Sequence, residues 1–256
     1  IFTLMHSNQV YRLFPEELKF TPHVLRSVLK VGIPAGLQSN MYTISNMIIQ
    51  SAINTFGTNT IAAWTAFGKI DGFFWMILSA YGISVTTFVG QNFGAQKYDR
   101  IRQSVRICLG LTLGTAVFCS FFLYFFCEPI FKIFTDDLLV MTEGMQMLRF
   151  LVPFYATYIC IEVLSGAIRG VGDSLVPMIM TGCGVCLLRI VWVFAALPLR
   201  HEMTTVMFSY PLTWSITSLL FVIYYLRGGW LRRRIAKCGY EPESPTPKES
   251  APVSSD

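Results

Sequence analysis

The stretch VMFSYPLTWSITSLLFVIYYL, residues 206–226, contains no Asp, Glu, Lys, Arg or His. A helix rises about 1.5 Å per residue and the hydrocarbon core of a bilayer is about 30 Å thick, so roughly 20 apolar residues cross it. In lipid every backbone N–H and C=O must find its partner inside the segment, so an uncharged run of this length reads as a transmembrane helix. Toward the N-terminus, stretches 177–197, 145–168, 105–127, 64–89 and 31–53 read the same way. The 256-residue chain is 53% hydrophobic and 14% charged, with mean hydropathy +0.52; a soluble domain carries about 25% charged residues. The expected fold is all-α: a polytopic membrane protein built as a six-transmembrane-helix bundle, whose short connections make successive helices antiparallel.

The placement of Lys and Arg sets the orientation. Arg12, Lys19, Arg26 and Lys30 precede the first span, Lys97, Arg100, Arg102 and Arg106 follow the second, and Arg169 follows the fourth. Arg227, Arg232, Arg233, Arg234, Lys237 and Lys248 follow the sixth. The opposite loops hold Lys132 and Arg200, while Lys69, Arg149 and Arg189 fall within spans. Both ends of the chain are therefore expected on the cytoplasmic side of a cell membrane. Residues 1–30 read as a cytoplasmic linker and interfacial helix, started by Thr21 as N-cap with Pro22 in the first turn. Residues 31–227 form the transmembrane lobe. Residues 228–256 read as a basic juxtamembrane segment and, past Gly239, a disordered Pro- and Ser-rich tail. The chain opens at Ile1 with neither an initiator Met nor a signal peptide, which reads as a fragment or a processed piece.

Cys108, Cys119, Cys127, Cys160, Cys183 and Cys186 lie within or at the ends of apolar runs, where cysteine is a small packing residue. The CxxC of Cys183 and Cys186 has no companion pair, so no metal site is expected. His6, His23 and His201 fall outside the spans and no nucleophile–base set is visible, which argues against an enzyme. Gly110 and Gly114 form a GxxxG, expected as a close-packing face.

Two loops on the basic side are glycine-rich. Gly90-Gln91-Asn92-Phe93-Gly94-Ala95 ends the second span, where glycine permits positive backbone angles and the amides of Gln91 and Asn92 can satisfy freed carbonyls. Arg169-Gly170-Val171-Gly172-Asp173-Ser174 joins the fourth and fifth, with Asp173 or Ser174 as the next helix cap and Pro177 in its first turn. Neither follows a strand or carries a P-loop lysine, so neither is a nucleotide cradle. Together with Gly32-Ile33-Pro34-Ala35-Gly36 at the start of the first span, VGQNFGA (89–95) and AIRGVGDSLVP (167–177) resemble the multidrug and toxic compound extrusion (MATE) transporters. Their order, spacing and membrane side are similar to the C-terminal six-helix lobe of that family, over residues 24–231. The resemblance implies a twelve-helix transporter with two lobes around a central cavity, of which this chain is one lobe and an N-terminal six-helix lobe is missing.

Polar residues inside the spans mark the candidate site. Ser39, Thr43, Asn46, Gln50 and Asn54 form one face of the first helix, suited either to helix–helix hydrogen bonding or to lining a cavity. Tyr155, Tyr158, Glu162, Ser165 and Arg169 form a second stripe on the fourth. An intramembrane carboxylate is a functional candidate by default. Glu162 lies about 10 Å, and Arg189 about 18 Å, from the basic-side ends of their helices. An arginine reaches several Å, so the two can pair, either as a static link or as part of a coupling device. Asp71 is a further candidate, needing a partner or water, while Lys69 beside it can reach outward. In cation-coupled members of the family that the chain resembles, acids fall near Tyr42 and Tyr158, both tyrosine here. Pro153 and Pro211 are expected to interrupt their helices.

The expected function is that of one half of a secondary active transporter, a cation-coupled antiporter exporting amphipathic or cationic small molecules. No cofactor is expected; a proton or sodium ion would be carried as the coupling ion by Glu162, Arg189 and Asp71. Tyr42, Trp75, Tyr155 and Tyr158 would offer cation–π surface beside Ser39, Thr43, Asn46, Gln50 and Ser165. The expected partners are the lipid bilayer, small-molecule substrates and the missing lobe, and no nucleic acid. The alternatives are a lipid-linked precursor flippase of the same superfamily and a non-transporting membrane scaffold.

Overall fold

Pro22 opens the first helix of the computed structural model, which describes residues 21–239. Its fixed φ suits a first turn that needs no N–H, and Thr21 precedes it in the extended conformation of an N-cap, without a side-chain cap bond. This helix, α1 (Pro22–Ile53), is a single rod of 32 residues. The expected interfacial segment is thus the start of the first span's own helix, and the boundary between residues 30 and 31 falls inside it. The expectations for residues 1–20 and 240–256 lie outside the described residues.

The chain continues through α2 (Thr58–Gly94), α3 (Tyr98–Phe125), the short α4 (Cys127–Phe131), α5 (Leu138–Leu151) and α6 (Tyr155–Gly170). Then come α7 (Leu175–Thr181), α8 (Leu188–Ala196), α9 (Met203–Leu226) and α10 (Gly229–Cys238). No strand occurs among the described residues. Pro153 sits in a 3-10 turn, Val152–Phe154, that joins α5 and α6 into one span. A π-helical turn, Gly182–Leu187, joins α7 and α8 into another. Pro211 does not interrupt its span: α9 runs through it as one helix.

Among the described residues five units are long and apolar enough to cross a membrane: α2, α3, α5–α6, α7–α8 and α9. α1 exceeds the length required, but its polar face, from Gln38 to Gln50, dilutes its apolarity. The bundle is organised around α6. In the α5–α6 span 67% of the most apolar window is buried, against 11% for α3. α3 instead turns Ile107, Leu111, Val117, Phe118, Phe121 and Phe125 outward, an apolar surface suited to lipid and costly in water.

The closest crossing is that of α2 with α6. A Cβ at Gly170 would lie 2.7 Å from the Thr86 carbonyl oxygen, and one at Gly166 would lie 2.8 Å from that of Gly82. Thr86 Oγ1 donates across this crossing to the Gly166 carbonyl at 3.0 Å. Small residues let the backbones approach, as membrane helices without a hydrophobic driving force require. Gly110 and Gly114 do the opposite of what was expected. Both are exposed on α3 with nothing within 4 Å of an added Cβ, so this GxxxG packs against no helix among the described residues.

At the basic end α10 docks onto the bundle through buried Trp230, Leu231 and Ile235. Arg234 Nε donates to Val171 O at 2.7 Å and its Nη2 to Gly172 O at 2.9 Å. These carbonyls belong to the turn that follows α6, where no helical donor is available to them. Gly228, with φ +65°, makes the turn from α9 into α10.

Candidate functional site

Side chains four apart on a helix share a face, and four such pairs meet in one place: Tyr42 and Asn46 of α1, Asp71 and Trp75 of α2, Tyr158 and Glu162 of α6, Tyr210 and Trp214 of α9. With Arg189 of α8 they line a cavity of about 550 Å³, together with Gln50, Trp64 and Tyr155. One wall is aromatic. Trp214 packs edge-on against Tyr210 at 5.5 Å, Trp75 at 5.6 Å and Tyr158 at 5.8 Å between ring centroids.

Asp71 is held by neutral donors. Its Oδ1 accepts from the Tyr155 hydroxyl, and its Oδ2 accepts from Trp75 Nε1 at 2.6 Å. Lys69 is exposed and does not line the cavity. Arg189 is only 3% exposed. Its guanidinium lies over the Tyr210 ring, 4.0 Å from the centroid, and Nη1 donates to Asn46 Oδ1 at 3.5 Å. Its Nε has no hydrogen-bond partner.

Glu162 and Arg189 share the cavity but form no ion pair among the described residues. The expected pairing fails for a local reason. Gly82 on α2 leaves a niche that the Glu162 carboxylate fills, and a Cβ there would overlap Oε1. Arg189 meanwhile is drawn to Tyr210 and Asn46. The Tyr42 and Tyr158 hydroxyls hydrogen-bond to each other at 3.1 Å, so the two positions where acids were expected from the resemblance form a neutral pair.

The other candidates divide. Tyr42, Asn46, Gln50, Tyr155 and Tyr158 come together with Asp71, Glu162 and Arg189. Ser39 and Thr43 are exposed and return their hydroxyls to their own helix, at Ala35 O (3.2 Å) and Ser39 O (3.1 Å). Ser165 is buried within α6, donating to Glu162 O at 3.2 Å and accepting from Arg169 Nη2 at 3.4 Å. Trp64, Tyr210 and Trp214 were not anticipated, although the spacing of Tyr210 and Trp214 beside Pro211 already placed two aromatics on one face.

The loops differ in detail from expectation. Gly90 and Gly94 are helical, and the positive φ after α2 falls on Gln96, at 59°. Gly90 serves close approach instead: its Cβ would sit 3.3 Å from Gly170 O. Asn92 Nδ2 donates back to Phe88 O, a carbonyl inside the helix and not one freed at its end, at 2.8 Å, while Gln91 is exposed. Arg169 and Gly170 close α6, Gly172 takes φ +82°, and Asp173 Oδ1 caps α7 by accepting from Val176 N at 3.4 Å.

Antiparallel apolar helices around a cavity that holds two acids, a guanidinium and an aromatic wall define a membrane protein built like one lobe of a transporter. The family profile MatE matches residues 34–194, and the chain belongs to that family. It is 23% identical over 239 residues to the "Probable multidrug resistance protein YoeA" of Bacillus subtilis (strain 168), covering 91% of this chain and 50% of that protein. It is 31% identical over 180 residues to the "Probable multidrug resistance protein NorM" of Bacillus thuringiensis subsp. konkukian (strain 97-27), covering 70% and 38%. A solved structure described as the "Outward-facing conformation of a multidrug resistance MATE family transporter of the MOP superfamily" shares the fold. Its TM-score is 0.81 at 16% identity, over 91% of this chain and 53% of that one. The chain thus spans about half or less of the length of the curated relatives it matches.

Proposed function

We propose that this chain is one lobe of a cation-coupled antiporter that exports amphipathic or cationic small molecules across the cytoplasmic membrane, with both ends of the chain inside. A second, N-terminal six-helix lobe would complete the cavity, and rocking of the lobes would expose it to either side in turn. The observation that carries this reading is the state of the two acids. Asp71 and Glu162 line the cavity with no cation in ion-pair contact among the described residues. A carboxylate so placed can bind and release a proton or sodium ion without breaking an ion pair, at the wall a substrate would touch. The tryptophan and tyrosine faces beside them attract cations. A lipid-linked precursor flippase would call for several cations along the cavity, and among the described residues that line it Arg189 stands alone. A scaffold has no use for such a cavity, and an enzyme would need a nucleophile or base set that the lining residues do not form.

The test is export by the full-length protein in vesicles under an imposed proton or sodium gradient. Glu162→Gln or Asp71→Asn should abolish gradient-driven export while the protein still folds. For Glu162→Gln the melting temperature should stay near that of the wild type, and combining it with Arg189→Met should not restore export. Wild-type rates in both single variants under both gradients would refute coupling through this lobe.

A further inference from the structure

The cavity is bipolar. Asp71 lines it and accepts a 2.6 Å hydrogen bond from Trp75 Nε1. From Trp75 the rings of Trp214 and Tyr210 continue at centroid distances of 5.6 and 5.5 Å, and the Arg189 guanidinium lies 4.0 Å above Tyr210. A run of three rings thus links Asp71 to the buried Arg189 guanidinium along one wall.

That arginine is the unusual member. Unlike the acids, a guanidinium cannot shed its charge in a protein. At 3% exposure it meets no carboxylate within ion-pair distance among the described residues. Its one hydrogen bond, at 3.5 Å, goes to a neutral amide, and its Nε has no partner. The nearest acid in sequence expectation, Glu162, is occupied by the niche at Gly82. A molecule that brought positive charge alone to the aromatic wall would meet Arg189 as a like charge.

We infer that Arg189 anchors an anionic group on the transported molecule, so that the cavity selects aromatic zwitterions over permanent cations. This rests on the transport reading above and narrows its substrate class. The carboxylate of such a molecule takes the guanidinium edge through parallel N–H bonds, the pairing for which the planar fork is shaped. Its flat body lies along Tyr210, Trp214 and Trp75, and its cationic end faces Asp71.

Two dyes isolate the carboxylate. Rhodamine 110 is a flat aromatic zwitterion, and rhodamine 123 is its methyl ester, with the same cationic ring system and no free acid. Their binding to purified full-length protein in detergent is read by fluorescence anisotropy. Wild type should bind rhodamine 110 more tightly than rhodamine 123 by about tenfold or more, the scale of a charge-assisted bond. Arg189→Met should remove that preference by weakening rhodamine 110 alone, and Arg189→Lys should keep part of it. The wild-type comparison holds even if the Met variant fails to fold. Equal affinity of the two dyes for wild type would overturn the inference and leave the transport reading standing, as would parallel loss of both dyes in a folded Met variant. If neither dye binds wild type, the inference falls, and the transport reading is decided by the gradient-driven export assay alone.

Discussion

Replacing Gly170 by alanine probes the crossing on which the lobe is built. The new Cβ would lie 2.7 Å from Thr86 O, 2.8 Å from Val89 Cβ and 2.9 Å from Val89 Cγ1. The first is backbone and the second a branch point, so no rotamer change relieves them. The shortfall from ordinary contact is 3.4 − 2.7 = 0.7 Å, and the helices must part by a comparable amount. Overpacking of this kind costs about 1–3 kcal/mol, while alanine's helix propensity returns at most about 1 kcal/mol. The Thr86–Gly166 hydrogen bond at the same crossing is stretched as well. Gly110→Ala is the control, because its Cβ meets nothing within 4 Å and only the propensity gain remains. The propensity gain is common to both variants, so they should differ by the overpacking cost, about 1–3 kcal/mol, with Gly170→Ala the less stable. For a chain of this size about 1 kcal/mol moves Tm by roughly 2–4 °C. Thermal unfolding of the detergent-purified protein, followed by tryptophan fluorescence, should separate them by about 2–12 °C. Equal shifts, or a more stable Gly170→Ala, would refute the assignment of α2–α6 as the tight crossing.

Arg234→Met removes the two bonds from α10 to Val171 O and Gly172 O. Since Arg234 is only partly buried, the loss should be about 2 kcal/mol, seen as faster tryptic cleavage between Arg227 and Arg233; an unchanged cleavage rate would mean that Trp230, Leu231 and Ile235 hold the helix unaided. Topology is tested by impermeant maleimides on intact cells: Cys238 should stay unlabelled and a cysteine in place of Thr204 should label. The reverse pattern would invert the orientation, and labelling of both would change the number of crossings between them.

The spans were legible because a bilayer tolerates so few charges that their gaps print directly onto the sequence. The stripes were legible too, since residues three and four apart must share a helix face, and Asn46 and Gln50 meet Glu162 in one cavity as those stripes suggested. What one chain's periodicity does not contain is the rotation of each helix against its neighbours. Glu162 and Arg189 were placed at compatible depths, yet depth says nothing of azimuth, and Gly82 on a third helix draws the carboxylate aside. The same ignorance misread the glycines. GxxxG on α3 looks like a contact and faces outward, whereas Gly170, in a motif read as a loop signal, and Gly166 one turn before it form the contact. Trp214 and Tyr210 escaped notice because aromatic residues are common in every span, and only packing shows which of them face inward.

The π turn at Gly182–Leu187 ends directly before the helix that bears Arg189. Such a turn holds one residue more than the α-helix it interrupts, so everything beyond it is advanced by one position, about 100° of rotation. Letting the same residues run as regular α-helix would swing Arg189 away from Tyr210 and bring Leu188 toward the place it vacated, whereas deleting one residue of the turn would leave Arg189 where it is. The polarity of this wall is thus a matter of reading frame within a helix. Opening or closing this one turn would exchange a guanidinium for a hydrocarbon there while the sequence beyond it stayed the same.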